Sequence, residues 1–538
     1  MTSRPRQINK IALFWPNGFD TKTVIPLALG YVKRNLDNSK YDVRIFDCSI
    51  DDISADSPEL VSILENFSPD LVGVSCWPPT WDEAFEILKV TKSINKDIVT
   101  VVGGVYAAAS GGHIVNEEAV DFVFRGETEL SFPIFLEEFE KENADFSNVL
   151  GLTYISNENK VVDNEMQRED DLDIIRYPDY SDIRLDDYID QGYKHFTYVK
   201  HAPIWVTRGC PYRCGFCMAP LQNGRPIRTH SVEYIVGWIS DLYHNHGVRH
   251  INIIDDNFTY HKKFAKSVCQ GIIDANLEGL IIGTPSGIRV QRTDKELLRL
   301  MKRAGWEYIF VAPESGSVNT LKRMKKDLDP TIIPPLVQDL KDAGLKVIAF
   351  FIVGYPGDTV ADLKDTLDLI RKCDFHFFYM FNFQPLPGTP IYQELVDTGE
   401  YSPDQLTKTT FSSGNIVYVT EQMKGVNFPW IRLREYFFLA FRNPSSVLFL
   451  IKNTDPVKIG EIFFSNTVKA FPSLFDKSPR LVNRWWDRLS GRLLLHEPKR
   501  RKTRANLSTN QWHVGLGPQI AEGANNQSEK RASTERIN

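Results

Sequence analysis

The sequence of 538 residues contains no apolar run long enough to cross a membrane and has few cysteines for its length. A transmembrane helix needs about 20 consecutive apolar residues, and no apolar segment of the kind a secretory signal requires follows the first residues. Seven cysteines, three of them clustered, argue against a disulfide framework and for a reducing compartment. These absences predict a cytoplasmic protein.

The sequence also lacks an excess of basic charge. Its formal net charge is −6, whereas proteins that bind nucleic acids usually carry a basic patch or stripe. We therefore expect no nucleic acid among its partners. Its length is ample, because domains average about 150 residues and the chain can form several of them.

The three clustered cysteines, Cys210, Cys214 and Cys217, have the spacing C-x3-C-x2-C and directly follow an apolar run at 204–206 that predicts a strand. Thiolates are the usual protein ligands of iron–sulfur clusters. Three thiolates leave one iron of a [4Fe-4S] cluster open to another ligand, much as catalytic zinc sites keep an open position. The loop is therefore predicted to hold such a cluster.

Zinc and a disulfide are the alternatives for these cysteines. A structural zinc site needs a fourth Cys or His at short spacing, and the nearest downstream histidine, His230, lies thirteen residues after Cys217. A disulfide fits poorly with an odd number of cysteines in so short a segment.

Residues 9–140 alternate short apolar runs with helical patterns. Strands are predicted at 11–14, 43–46, 71–75, 98–102 and 122–124, with helices near 24–36, 57–66, 81–94 and 128–140. This alternation predicts a doubly wound parallel sheet of the flavodoxin or Rossmann-like kind. A hairpin edge is predicted near 152–155.

Ligands of such sheets bind at the carboxyl ends of the strands. Candidate binding residues stand at those ends: Ser75, Trp77, Thr80, Gly103, Gly104, Gly126 and Glu127. Glycine allows the backbone to approach a flat ligand closely, although Gly103 and Gly104 are equally explained as turn glycines.

From Ile204 onward the strand–helix alternation resumes, with strands predicted at 204–208, 250–255, 280–284, 308–312, 346–353 and 375–383. Ser231 and Asp294 are predicted helix N-caps, and Gly344 is a predicted C-terminal stop. Six such units predict a partial (β/α)6 barrel that is open on one side. Its chemistry is expected at the C-terminal ends of the strands.

The cysteine loop, with the aromatic Phe216 just before the third cysteine, resembles the signature of the radical S-adenosylmethionine (SAM) superfamily. In that family the open iron chelates the amino and carboxylate groups of SAM. One electron then cleaves SAM to methionine and a 5′-deoxyadenosyl radical. The resemblance implies an external electron donor of the flavodoxin or ferredoxin type.

The sequences DDNF, ESG, GYPG and PLPGTP at later strand ends extend this resemblance. It implies SAM contacts by Phe216, Asp256, Arg289, Glu314, Gly354 and Pro356. The carboxylates can accept from the ammonium or the ribose, and Arg289 can pair with the SAM carboxylate in two parallel bonds. Asp255 or Asp256 could instead be a plain helix N-cap, and Ala312-Pro313 departs from the family pattern.

The order VGVS, VVGG and RGE ahead of a three-cysteine loop resembles the cobalamin-binding domain of B12-dependent radical SAM enzymes, over most of residues 9–140. The resemblance implies that the strand-end residues named above contact cobalamin. Two features depart from it: Tyr106 stands where the family often has histidine, and the Asp-x-His-x-x-Gly motif is absent. Cobalamin is therefore expected base-off, with Trp77 or a water below the metal; the alternative is a degenerate layer without cobalamin.

The predicted organisation is 1–145 cobalamin-binding domain, 146–200 linker, 201–395 radical SAM barrel, 396–497 helical C-terminal domain and 498–538 disordered tail. The aromatic segment 430–453, interrupted at Asn443-Pro444, is predicted to be a helical cap on the barrel. An interfacial helix dipping into lipid is the less favoured alternative for this segment and for 480–496.

The resemblance implies a cobalamin-dependent radical SAM methyltransferase that acts on an unactivated carbon, or a phosphinate phosphorus, of a small biosynthetic molecule by way of the 5′-deoxyadenosyl radical and methylcobalamin. A cyclase, oxidoreductase or rearrangement enzyme with the same cofactors is the alternative. A tRNA-modifying enzyme and a non-catalytic cobalamin-binding protein are further alternatives. No single catalytic acid or base is identifiable from the sequence.

Overall fold

The computed structural model describes residues 7–18, 24–166, 168–191, 199–402, 416–445 and 447–448, together with the single residues 460 and 467. The first part of the chain forms strands β1 Lys10–Trp15, β2 Asp42–Asp47, β3 Leu71–Ser75, β4 Val99–Gly103, β5 Phe122–Phe124, β6 Leu152–Ile155 and β7 Val161–Asp163. Its helices are α1 Leu27–Asn35, α2 Cys48–Asp51, α3 Pro58–Phe67, α4 Trp81–Ile94, α5 Val105–Ile114, α6 Ser131–Phe139 and α7 Tyr188–Gln191.

These seven strands form one sheet in the order β2-β1-β3-β4-β5-β6-β7. The first five strands are parallel, and the antiparallel β6–β7 hairpin closes one edge. The predicted doubly wound sheet and its hairpin edge are confirmed. Helix α5 was not predicted, because its sequence, VYAAASGGHI, has too little polar–apolar contrast to show a helical period.

The two faces of this sheet enter two different cores. Ala12, Val72 and Val102 pack in a separate cluster with residues of α3, α4 and α5. Leu13 and Val101 point to the other face, where α1 and α6 pack and where the apolar cluster continues without interruption into the second sheet. Alternate side chains of a buried parallel strand face opposite sides, so the second face ties the two sheets together.

The second part contains strands β8 His201–Ile204, β9 Thr207–Arg208, β10 Arg228–Thr229, β11 His250–Ile253, β12 Ile281–Ile288, β13 Trp306–Glu314, β14 Lys346–Val353 and β15 Phe377–Asn382. Its helices are α8 Ala219–Asn223, α9 Val232–His244, α10 Lys262–Asp274, α11 Lys295–Arg303, α12 Val318–Arg323, α13 Ile333–Asp342, α14 Val360–Lys372, α15 Pro390–Asp397 and α16 Phe428–Arg442. Six strands form a parallel sheet in the order β15-β14-β13-β12-β11-β8. The predicted six-unit alternation is confirmed.

The first barrel strand differs from its prediction at 204–208. The sheet strand is β8, which ends at Ile204, and Thr207–Arg208 pairs instead with β10 in an antiparallel ribbon. The chain turns away because the carboxylate of Asp255 accepts hydrogen bonds from the amides of Val206 and Thr207, at 2.7 and 2.9 Å. These amides are therefore not available to a neighbouring strand.

The predicted helix signals hold. The side chain of Ser231 accepts from the amide of Tyr234 at 3.0 Å, and that of Asp294 accepts from the amide of Leu297 at 2.9 Å. Gly344 follows α13 with φ +80°, the left-handed conformation in which glycine commonly ends a helix.

Helix α16 packs on the edge strand β15. Phe428, Leu433 and Tyr436 are buried, and Arg432, which is 5% exposed, donates to the carbonyl of Met380 at 2.9 Å. The helix ends at Arg442, as the Asn443-Pro444 pair predicts. The described part of the C-terminal region thus fits the predicted cap on the barrel, whereas 480–496 and the tail lie outside the described residues.

No helix within the described ranges is both long and apolar enough to cross a membrane.

The turn after β4 yields a stability prediction. Gly104 has φ +96°, and a Cβ there would lie 2.3 Å from the carbonyl oxygen of Cys76. Gly399 has a comparable φ of +73° with no atom within 4 Å of its Cβ position. Gly104→Ala should therefore lose at least about 1 kcal/mol more unfolding free energy than Gly399→Ala, since it adds a steric clash and since Gly104, with φ +96° and ψ 179°, lies in a region essentially confined to glycine. Equal losses in denaturant unfolding would contradict the close approach.

Candidate functional site

The cysteine loop is held at its base by the β9–β10 ribbon, in which Arg208 pairs with Arg228. The amide of Cys210 donates to the carbonyl of Gly224 at 3.0 Å just inside this ribbon. Gly209 has φ +97°, and a Cβ there would lie 2.1 Å from the carbonyl oxygen of Pro226. Only glycine fits this position, so the closed base of the loop depends on it.

The middle of the loop is tied to the end of helix α12 and the start of helix α15. The amide of Gly215 donates to the carbonyl of Met324 at 2.9 Å, and the carbonyl of Gly215 accepts from the amide of Ile391 at 3.1 Å. Backbone bonds cannot be lost by side-chain rotation. The loop therefore has a fixed conformation between the segments after β13 and β15.

The three thiols are half-buried at this loop. Burial raises the pKa of Cys217 to about 12 and also raises the pKa of Cys210. Metal ligation requires the thiolate, so binding of a cluster releases protons from these thiols. Burial thus favours the protonated form of Cys210 and Cys217 in the absence of a metal.

His230 is engaged elsewhere. Its Nδ1 lies 3.1 Å from a carboxylate oxygen of Asp173, and its ring stacks on Tyr234 with a centroid separation of 4.0 Å. Burial, assisted by Arg208, lowers the pKa of His230 to about 4. It is therefore a neutral residue packed against the linker.

Asp255 supports the cysteine loop from below. Besides the amides of Val206 and Thr207, it accepts from the hydroxyl of Thr207 at 2.8 Å, and it is 2% exposed. Burial raises the pKa of Asp255 to about 8, against the effect of the three donors, which favour its ionised form. Asp255 is neither a helix N-cap nor open to a ligand.

Asp256, the next residue, faces the loop itself. Its carboxylate accepts from the amide group of Asn223 at 2.9 Å, and burial raises its pKa. Asn223 is the last residue of α8, the short helix that follows the third cysteine. The structure thus brings Asp256, predicted to bind SAM, next to the cysteine loop.

Arg289, also predicted to bind SAM, contacts the loop directly. One terminal nitrogen lies 3.2 Å from the sulfur of Cys214, the other donates to the carbonyl of Lys326 at 2.6 Å, and the guanidinium lies 3.4 Å from the ring centroid of Tyr212. Each terminal nitrogen therefore has one contact and carries a second N–H, which leaves donors on Arg289 for a carboxylate ligand.

Glu314 ends β13 in a left-handed conformation, with φ +66°, which is uncommon for a residue other than glycine. Its carboxylate lies 2.9 Å from the ammonium of Lys326, and both side chains are less than 10% exposed. Lys326 also lies 5.9 Å from the ring centroid of Phe216. Lys326 therefore contacts three residues predicted to bind SAM: Phe216, Glu314 and, through its carbonyl, Arg289. Lys326 itself was not predicted from the sequence.

Gly354 and Pro356 lie at the end of β14. Gly354 has φ +74°, and a Cβ there would lie 3.5 Å from the ring of Phe428. Its glycine is thus explained by the turn, while Pro356 is half-buried beside it.

A cavity of about 730 Å³, open mouth included, lies at the carboxyl ends of the first sheet. Five of the seven residues predicted there line it: Ser75, Gly103, Gly104, Gly126 and Glu127. The barrel part of the chain contributes Trp205, Arg208, Gln222 and Asn223 to the same wall.

Trp77 and Thr80 are not in the lining. The Thr80 hydroxyl accepts from the Trp77 amide at 3.2 Å and closes a 3-10 turn at Pro78–Thr80. Thr80 is 1% exposed, so its role in the structure is to shape this turn. The indole nitrogen of Trp77 is buried without a hydrogen-bond partner among the described residues.

Four buried charges join the cavity to the cysteine loop; we call Glu127, Glu129, Arg208 and Arg228 the junction cluster. Arg228 donates to one carboxylate oxygen of Glu127 at 2.8 Å and also contacts the other. Arg208 lies 2.8 Å from Glu129 and 3.6 Å from Glu127. All four side chains are 9% exposed or less.

These pairs perturb each other. Burial opposes ionisation of Glu129, yet the Arg208 guanidinium holds its pKa below the ordinary value. Burial likewise opposes the charge on Arg208, but Glu129 and Glu127 raise its pKa. Both partners therefore remain charged in the interior.

Sequence reasoning missed Glu129, Arg208, Arg228 and Lys326. A usable signal existed for Arg208, a charged residue that directly follows the apolar run before Gly209-Cys210. No such signal marks Lys326 or Arg228, whose partners lie in distant parts of the chain.

Two family models match the chain. The model of the Radical SAM superfamily matches residues 204–370, and the model of the B12 binding domain matches residues 21–136. Together they cover just over half of the sequence. The first includes the three cysteines and strands β11 to β14 of the six-stranded sheet. The second includes the ends of β3, β4 and β5 that line the cavity.

Curated relatives match about 70% of the chain. The uncharacterized methyltransferase PH0819 of Pyrococcus horikoshii is 29% identical over 68% of this chain and 78% of the relative. The cytidylyl-2-hydroxyethylphosphonate methyltransferase of Streptomyces wedmorensis is 25% identical over 73% and 82%. The anaerobic magnesium-protoporphyrin IX monomethyl ester cyclase of Rubrivivax gelatinosus is 27% identical over 73% and 68%.

A solved structure shares the fold. The cobalamin-dependent SAM radical enzyme OxsB, with aqua-cobalamin and SAM bound, superposes with a TM-score of 0.65 at 17% identity, covering 91% of this chain and 75% of that chain.

The support of the loop by Asp255 is testable by Asp255→Asn. In the variant, the NH2 group of asparagine would face one of the three groups that now donate to Asp255, namely the amides of Val206 and Thr207 and the hydroxyl of Thr207. That buried donor would lose its partner, so the variant should lose about 1–3 kcal/mol of unfolding free energy. Thermal and denaturant unfolding measure the loss. Asp274→Asn, at the exposed end of α10, is the control and should change stability little. Wild-type stability in Asp255→Asn would contradict the assignment.

Proposed function

Because the chain belongs to the cobalamin-dependent radical SAM enzymes, we propose that it is a methyltransferase acting on a small biosynthetic molecule at an unactivated carbon or a phosphinate phosphorus. Its cofactors are a [4Fe-4S] cluster, SAM and cobalamin. The observation that carries the proposal is that the cysteine loop and the cavity of the first sheet share one wall, formed by Arg208, Gln222 and Asn223. Two cofactors that act on one substrate must lie next to each other, as the cysteine loop and the cavity do.

The residues present fit these groups. Three thiols on one loop suit a cluster with an open iron, and the half-buried loop limits access of water to it. In the cavity, the side-chain oxygen of Gln222 is buried without a partner among the described residues, while its nitrogen donates to the carbonyl of Gly126 at 2.8 Å. A free acceptor in this wall suits the primary amides that surround a corrin ring.

The cofactors supply the organic radical and the methyl group, and the chain supplies alignment and exclusion of water. We propose that Cys210, Cys214 and Cys217 hold the cluster. We further propose that Phe216, Asp256, Arg289, Glu314, Gly354 and Pro356 surround SAM, and that Ser75, Gly103, Gly104, Gly126 and Glu127 surround part of cobalamin. Trp77 and Thr80 remain proposed for the opposite side of that cofactor, with Thr80 acting through the turn that positions Trp77.

Charge at the SAM site is the main task of the side chains. Asp256 and Glu314 are suited to accept from an ammonium or ribose hydroxyls, and Glu314 forms an ion pair with Lys326 at 2.9 Å. Arg289 would be suited to bind the SAM carboxylate, since its guanidinium lies beside Cys214 and has five N–H donors. An external one-electron donor of the flavodoxin or ferredoxin type is proposed to reduce the cluster.

A cyclase or oxidoreductase with the same cofactors is the second candidate, favoured by the 27% identity to the Rubrivivax gelatinosus cyclase over 73% of this chain. The two reactions differ in what becomes of SAM. Methyl transfer consumes SAM as a methyl donor and leaves S-adenosylhomocysteine, whereas the second candidate leaves 5′-deoxyadenosine without it.

The two candidates are separated by incubating reconstituted enzyme with methyl-labelled SAM, hydroxocobalamin, a chemical reductant and a metabolite extract, under anaerobic conditions. We expect S-adenosylhomocysteine and 5′-deoxyadenosine together, and methyl label in one extracted product. 5′-Deoxyadenosine alone would favour the cyclase, and neither product would contradict both.

Cluster ligation is tested by Cys210→Ala, Cys214→Ala and Cys217→Ala. Each should reduce iron from about four per chain to near zero after reconstitution, because no other residue replaces the lost thiolate. Cys373→Ala, at a buried position after α14, is the control and should retain full iron; iron loss there too would indicate unfolding.

A further inference from the structure

The junction cluster is the feature that the proposed function leaves unexplained. It places two positive and two negative side chains in the interior, where removing charges from water costs several kcal/mol per ion. Arg228 also donates to the carbonyls of Glu169 and Asn223, at 2.8 and 2.9 Å. Apolar residues of similar volume would often give equal or greater stability at such a position.

Its location suggests what the charges do. Arg208 lies two residues before Cys210, and Arg228 pairs with it across the ribbon that closes the loop. Glu127 and Glu129 follow β5 and line the cavity. The contacts thus join the base of the cysteine loop to the ligand edge of the other sheet. A bidentate guanidinium–carboxylate pair fixes orientation as well as distance.

A second tie runs beside the first. Helix α8 begins two residues after Cys217. Its Gln222 donates to Gly126, in the cavity wall, and its Asn223 donates to Asp256, at the barrel strand end. Any shift of the cavity edge therefore displaces the cysteine loop at both its base and its last helix.

Resting on the proposed function, we propose that the junction cluster is a positioning device: it holds the cysteine loop at a fixed place against the cavity, so that cobalamin binding and cluster retention depend on each other. Such coupling is reciprocal, since a ligand that stabilises one arrangement of the loop is itself bound more tightly by it. Glu127 is then a positioning residue whose carboxylate is directed to arginines, and Glu129 is its counterpart for Arg208.

The test compares a variant that removes one negative charge with a double variant that removes one charge of each sign. Glu129→Gln keeps the shape and leaves two guanidinium groups facing one carboxylate. The double variant Arg208→Met/Glu129→Gln removes one charge of each sign and leaves the Glu127–Arg228 pair in place. We therefore expect Glu129→Gln to lower thermal stability and the double variant to regain most of it.

Two readouts follow positioning and do not require turnover. The first is the Kd for hydroxocobalamin, from quenching of tryptophan fluorescence. The second is the rate at which reconstituted protein loses iron to an excess of a ferrous chelator, with and without hydroxocobalamin. We expect both variants to bind hydroxocobalamin about tenfold more weakly and to lose iron about tenfold faster than wild type. Hydroxocobalamin should slow iron loss in wild type but not in the variants.

Glu435→Gln is the matched control. Glu435 is 1% exposed and lies between Arg371 and Arg434, at 2.5 and 2.7 Å, on α16. The variant should lose stability as Glu129→Gln does, but keep wild-type hydroxocobalamin binding and iron retention.

Wild-type Kd and iron retention in Glu129→Gln, or their recovery in the double variant, would overturn the proposal, because the cluster would then serve stability alone. A wild-type protein that binds no hydroxocobalamin would refute the proposed function instead. The iron-loss rates of Glu129→Gln against Glu435→Gln would still decide whether the junction cluster positions the cysteine loop.

Discussion

Charges buried between two sheets are tolerated only where each meets an opposite charge at a fixed geometry. In this chain that constraint lies at Arg208, which contacts Glu129 and Glu127 from one sheet while its own backbone begins the cysteine loop of the other. The two sheets also share an apolar core, which holds them together. The ion pairs therefore determine how the two sheets are placed relative to each other. That placement in turn sets the distance between the proposed cofactor sites.

Around this point the site is built mainly from backbone. The base of the cysteine loop is fixed by Gly209 and by Asp255, and its middle is fixed by amide–carbonyl bonds of Gly215. Charged side chains lie beside this backbone, and we propose that they meet the zwitterionic SAM: Asp256 and Glu314 as acceptors, and Arg289 as a donor beside Cys214. Rigid backbone with a few charged groups suits chemistry in which the cofactors react and the protein aligns them.

The architecture was predictable from the sequence because parallel strands buried on both faces leave continuous apolar runs, such as 346–353, which became β14 without change. The cysteine triad and the strand-end glycines were predictable because their spacing is local. Helix α5 was not predicted because its many small residues give no clear helical period. The end of the strand before Val206 was not predicted because its cause, Asp255, lies 49 residues away in the sequence. Glu127 was assigned to a ligand, but its arginine partners come from the barrel, which no local pattern reveals.

We propose that one chain holds its cluster and its cobalamin side by side. Electron paramagnetic resonance of protein reconstituted with both cofactors tests it most directly, with the cobalt as Co(II) and the cluster reduced. We expect the neighbouring cluster spin to broaden or split the cobalt signal. This broadening or splitting should be absent in Cys214→Ala. A spectrum equal to the sum of the two isolated signals would contradict it.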